Sequence, residues 1–169
     1  MRKINEIIIH CTATPEGRHV TVADVDNWHR ARKFNGIGYH YLIYLDGTIH
    51  QGRPVERIGA HCKQGGHNRY SIGVCYVGGL AKDGKTTKDT RTPEQKKALA
   101  KLLAELHQRF PSATLHGHRE FVCQRKKKDA AIKCAVCLQQ YKDCKFAAKT
   151  CPSFDCHEYD YIFNNPTQA

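Results

Sequence analysis

The chain has 169 residues, 40% hydrophobic and 25% charged, which suits one soluble globular domain with a real core. No stretch approaches the run of about 20 apolar residues that spans a membrane, so membrane insertion is not expected. The formal net charge of +11 implies an anionic partner, whether nucleic acid, a membrane surface or an acidic polymer such as a cell wall.

Met1-Arg2-Lys3-Ile4-Asn5-Glu6 enters a strand-like run at once, and Glu6 and His10 interrupt any leader-like apolar core. Synthesis in the cytoplasm without a signal peptide is the expectation. Residues 4–11 read as a buried strand. Thr21, with Asp24 three residues on, predicts an N-cap and a helix over about 22–33. Gly36 and Gly38 precede Tyr39–Leu45, a β-branched and aromatic run that turns at Asp46-Gly47 into Thr48–Gln51, a hairpin signal. Ser71–Val77 is another apolar strand, closed by Gly78-Gly79, and 81–91 reads as an exposed loop. Thr92, Pro93 and Gln95 then open the clearest helix, with Leu99, Leu102, Leu103, Leu106 and Phe110 on one face and Pro111 ending it. Ala113–His118 returns as a strand. Strands alternating with helices predict an α/β sheet. Asp155 with Glu158 predicts the cap of a short last helix carrying Tyr159, Ile162 and Phe163.

Residues 122–150 are abruptly richer in lysine and cysteine and read as an insertion within a single domain spanning 1–169. Nine cysteines in a cytosolic chain read first as buried apolar groups, metal ligands or catalytic groups, and then as disulfides. Within the insertion Cys134, Cys137, Tyr141 and Cys144 recur at helical spacing. Three readings follow, in this order: a helix packing thiols inward, disulfides stapling it to Cys123, Cys156 or Cys62, or a second zinc held by Cys123, Cys134, Cys137 and Cys144. Elsewhere Cys11 and Cys75 sit in apolar strands and read as inert. His19, His29, His50, His107 and His157 carry no motif and read as surface or packing groups. His116 and His118 alternate onto one face of their strand, so by spacing either reaches a metal.

Five words occur in order: Ile8-Ile9-His10-Cys11-Thr12-Ala13-Thr14, Gly38-Tyr39-His40-Tyr41, Ser71-Ile72-Gly73-Val74 with Gly78-Gly79, Gly117-His118-Arg119-Glu120, and Lys149-Thr150-Cys151-Pro152-Ser153-Phe154-Asp155. Together they resemble the zinc N-acetylmuramoyl-L-alanine amidases, the family that includes phage lysozymes of this type and the peptidoglycan recognition proteins. The likeness covers roughly 4–121 and 149–163. It implies a mixed central β-sheet flanked by helices, and cleavage of the amide between N-acetylmuramic acid and L-alanine in peptidoglycan. It further implies that His10, His118 and Cys151 hold Zn2+, leaving a fourth tetrahedral position for water. Tyr39 and Lys149 match the catalytic tyrosine and lysine, and His61 and Asn68 fall in the segment that lines the substrate groove. The implied partner is peptidoglycan, in the form of muramyl peptides, met by a monomer acting on the cell wall. The chief departure is the long connection from His118 to Cys151.

Two other functions compete. A peptidoglycan-binding protein without catalysis is opposed by the intact ligand set. A zinc-containing nucleic-acid binder would use the basic, cysteine-rich insertion, yet no stacking surface or reading motif accompanies it, so nucleic acid is not the expected partner.

Overall fold

The computed structural model describes residues 2–121 and 151–164. Five strands form the main sheet in the order β4-β3-β5-β1-β7. β1 (Glu6–Cys11) is an interior strand, flanked in parallel by the central β5 (Ser71–Tyr76) and by the edge strand β7 (Thr114–Gly117). β3 (Tyr41–Ile43) runs parallel to β5, and only β4 (Ile49–Gln51) is antiparallel, joined to β3 through the Asp46-Gly47 turn. A two-stranded parallel pair, β2 (Thr14–Pro15) and β6 (Gly79–Leu80), extends the edge near the site. The mixed α/β architecture expected from the sequence is therefore present.

An interior parallel strand is covered on both faces, which is why Ile7, Ile8 and Ile9 are consecutive and all buried. On one face Ile7, Ile9 and Cys11 pack with Ile72, Val74, Tyr76 and the leucines of α2 (Pro93–Arg109). Cys75, Leu42 and Val77 pack on the other with Val25 of α1 (Val22–Ala31) and Ile37. His10 alternates onto this second face.

Both helices begin with the capping boxes that the sequence announces, Thr21 with Asp24 and Thr92 with Gln95. Gln95 does more than cap. Its buried amide donates to the carbonyls of Ile43 (3.3 Å) and Val77 (3.0 Å), tying α2 to the ends of two strands. The segment 81–91 is the exposed loop expected through Asp89, with one bridge from Leu80 to Thr87, and only its last two residues, Thr90 and Arg91, turn into the core. Arg91 is held there by Asp89 at 2.7 Å and Glu158 at 2.7 Å, with its guanidinium over the Phe154 ring. Asp155 caps the turn Cys156–Tyr159, which continues into the short helix α3 (Asp160–Asn164). The three readings of the insertion fall on 122–150, outside the described residues. Cys62 and Cys156, named above as ends of possible staples, are buried thiols in the described residues, and the insertion cysteines they would pair with lie outside them.

Candidate active site

Parallel strands end at one edge of the sheet, and there the distant words of the sequence meet. Ile9 pairs with Gly117, so His10 and the residue after Gly117 emerge side by side. His118 does not continue the strand, contrary to the face shared with His116 that its spacing predicts. The chain turns into a 3-10 segment, His118–Phe121, because the Glu120 carboxylate accepts the Gly117 N–H at 2.6 Å. His118 is thereby swung against His10, with ring centroids 4.5 Å apart. His116 stays on the strand, bonded to Thr114 (2.9 Å) and Glu120 (2.8 Å).

Cys151 arrives from the far side of the chain. Arg119 N–H donates to its carbonyl at 2.6 Å, and its sulfur accepts the Cys11 N–H at 3.3 Å. Ser153 Oγ donates to the Gly79 carbonyl at 2.8 Å and fixes the next turn. One donor atom from each of His10, His118 and Cys151 then lies within 4.8 Å of the others. Cys151 Sγ is 3.8 Å from His10 Nδ1, against roughly 3.6 Å for a thiolate and an imidazole sharing a tetrahedral zinc. Two imidazoles and a thiol form a donor set that suits this metal. The hydrogen bond with the Cys11 thiol, and then burial, push the Cys151 thiol well above its ordinary range. A cation is what would stabilise its thiolate.

The ring of His10 is set by His61. Ser71 Oγ donates to the His67 carbonyl (2.7 Å), so it accepts from His61 Nε2 at 3.4 Å. His61 is held neutral, since burial pushes its pKa well down. Its Nδ1 therefore accepts from His10 Nε2 at 3.0 Å, leaving the lone pair of His10 on Nδ1, the atom that faces Cys151. Gly73 makes this possible. A Cβ there would lie 2.6 Å from the His61 ring.

His118, Cys151 and His61 line a cavity of about 660 Å³ together with Tyr39, His29, Arg32, Lys63 and Asn68, and His10 is buried against them. The Tyr39 ring lies 5.1 Å from that of His10, and burial holds its phenol pKa well above 10, so it stays protonated. Asn68 Oδ1 accepts the His61 N–H (2.9 Å) and the Cys62 N–H (2.8 Å), shaping the loop around the cavity. Lys149 lies outside the described residues.

Residues 1–131 match the N-acetylmuramoyl-L-alanine amidase family. The chain belongs to this family. The endolysin of Escherichia phage T7 is 34% identical over 149 residues, 88% of this chain and 80% of that protein. Among solved structures, the N-acetylmuramoyl-L-alanine amidase LysC from Clostridium intestinale URNW aligns with a TM-score of 0.68 and 25% identity, covering 96% of this chain and 87% of that one. Drosophila PGRP-LB aligns with a TM-score of 0.61 and 26% identity over 72% of each chain.

Within this amidase fold, the sequence reading missed three residues. Cys11, expected to be inert, lines the cavity and holds the Cys151 sulfur through its backbone. His29, expected to be a packing or surface group, lines the cavity too; its Nδ1 accepts the Gly38 N–H at 2.8 Å and burial lowers its pKa to about 4. Glu120 stands in the Gly-His-Arg-Glu word, but nothing in the sequence gives its role as the acceptor that turns His118 inward. Among the described residues no helix is long and apolar enough to cross a membrane.

Proposed function

We propose that the protein is a zinc-dependent hydrolase of the amide between N-acetylmuramic acid and L-alanine in peptidoglycan, acting at the cell wall as a monomer. The observation that carries this reading is the convergence of His10, His118 and Cys151 from three segments far apart in sequence, with His118 and Cys151 lining an open cavity and His10 buried against them. Three protein donors leave a coordination position for water or substrate.

His10 Nδ1, an imidazole nitrogen of His118 and the Cys151 thiolate would hold the metal. The chemistry a bound zinc supplies is a water with a pKa of about 7 and a polarised carbonyl. The protein's own groups do the rest. Tyr39 keeps its proton and donates a hydrogen bond to the oxygen on which charge develops, which a phenol this basic does better than it abstracts protons. Lys149, assigned from its motif alone, would supply a positive charge that stabilises the same oxyanion. His61 holds the His10 tautomer, and with Asn68 it shapes the wall against which the muramyl peptide lies. The net positive charge draws the protein to an anionic wall polymer.

Purified protein incubated with peptidoglycan releases stem peptides with free L-alanine amino termini, and a chelator stops the release. Cys151→Ala loses bound zinc and turnover while still sedimenting with the wall. Undiminished turnover in Cys151→Ala sinks the mechanism. A wild type that sediments with the wall but cleaves nothing establishes the binding-only reading instead.

A further inference from the structure

A second group of metal-type donors lies behind the His118 turn. Glu120, Cys156 and His157 each place one donor atom within 4.8 Å of the others. Glu120 Oε1 is 3.5 Å from Cys156 Sγ and 3.3 Å from His157 Nε2. Tetrahedral zinc separates an oxygen and a sulfur ligand by roughly 3.6 Å, and an oxygen and a nitrogen ligand by roughly 3.4 Å. The Glu120 side chain and Cys156 are fully buried, whereas His157 is one-third exposed and gives the site a side open to solvent.

The surrounding groups are arranged as a metal's outer shell is. His157 Nδ1 lies 3.0 Å from both carboxylate oxygens of Asp160, which fixes the proton on Nδ1 and turns Nε2 toward Glu120. His116 Nδ1 holds the other Glu120 oxygen at 2.8 Å, and the Gly117 N–H holds Oε1 at 2.6 Å. Hydrogen bonds alone account for each contact taken singly. They do not call for a buried thiol at the one place where a buried carboxylate and an oriented imidazole converge.

We propose that Glu120, Cys156 and His157 form a second zinc site, separate from the His10, His118 and Cys151 centre, with its fourth position on the solvent side. The sulfur and nitrogen donors favour zinc over magnesium or calcium, which take oxygen. Binding releases the Cys156 thiol proton, and any second proton on His157, to solvent. The ion joins the turn that carries His118 to the turn that follows Cys151. It braces two ligands of the first centre whose connecting chain is long.

The test is metal content of the full-length chain, loaded with Zn2+ and freed of excess, with folding of each variant checked by circular dichroism. The wild type should hold two equivalents. Cys156→Ser and His157→Gln should each hold one, and Cys151→Ala should also hold one. Titration of the metal-free wild type with Co2+ should show thiolate-to-cobalt absorption growing in two steps, the second missing in His157→Gln. A single equivalent in the wild type overturns the proposal, whatever the variants do. Two equivalents that persist in both Cys156→Ser and His157→Gln also overturn it, because the second ion then lies elsewhere. None of these readings depends on amidase activity.

Discussion

His61 lies on the opposite side of the His10 ring from Cys151: its Nδ1 is 3.0 Å from His10 Nε2, while Cys151 Sγ is 3.8 Å from His10 Nδ1. One imidazole thus spends one nitrogen on orientation and offers the other to a metal. The preference for a particular tautomer comes from Ser71, two hydrogen bonds away.

His61→Ala removes the acceptor that fixes His10. Loss of such an outer partner typically costs about 10–100-fold in metal affinity. Zinc competition with a chromophoric chelator should register a fall of that size, and His61→Gln, which keeps an acceptor, should recover part of it. Equal affinities in wild type and His61→Ala would show that the contact does not orient the ligand.

Tyr39→Phe removes the phenolic donor and little else. Zinc content should stay the same, KM should change little, and kcat should fall by about 10²–10³, as when a single oxyanion donor is lost. Steady-state kinetics on a defined muramyl peptide would decide it. A rise in KM at constant kcat would make Tyr39 a binding group only.

Stability should fall on mild acidification. Burial lowers the pKa of both His29 and His40 to about 4, from about 6.5 in an unfolded chain. The folded state favours their neutral forms, so this stability is fully present above about pH 6.5 and is lost as pH falls through 4. Each contributes at most about 3 kcal/mol. Thermal melts of the metal-free protein at pH 7 and pH 4.5 should differ by several degrees, the acid sample melting lower. Identical melting temperatures would contradict the assignment of both rings as buried and neutral.

Arg91→Met should destabilise the fold and loosen the Cys151 segment. The guanidinium, 1% exposed, bonds Asp89, Glu158 and the Tyr159 hydroxyl and covers the Phe154 ring. Its charged partners are partly exposed and regain water, so the loss should be about 2–3 kcal/mol rather than the larger penalty of a fully buried pair. Urea denaturation would measure this. A change below about 0.5 kcal/mol would place Arg91 among ordinary surface ion pairs.

Much of this protein is legible without its fold. Capping boxes at Thr21 and Thr92, the Asp46-Gly47 turn and the leucine stripe of α2 are local patterns, and local geometry sets their outcome. The ligand words around His10, His118 and Cys151 are equally local, and with them came the family. Tertiary structure alone decided how those words act on one another. By spacing alone His116 and His118 share one strand face, and only the Gly-His-Arg-Glu word favours His118. Only the contact between Glu120 and the Gly117 N–H ends the strand and sends His118 inward. Cys11, His29 and His157 likewise looked unremarkable, because their partners lie 140, 9 and 37 positions away in Cys151, Gly38 and Glu120 respectively. Side-chain periodicity records which face of an element is buried. It does not record which other element covers that face, and the chemistry of this site is set where parallel strand ends, a helix and a distant turn meet.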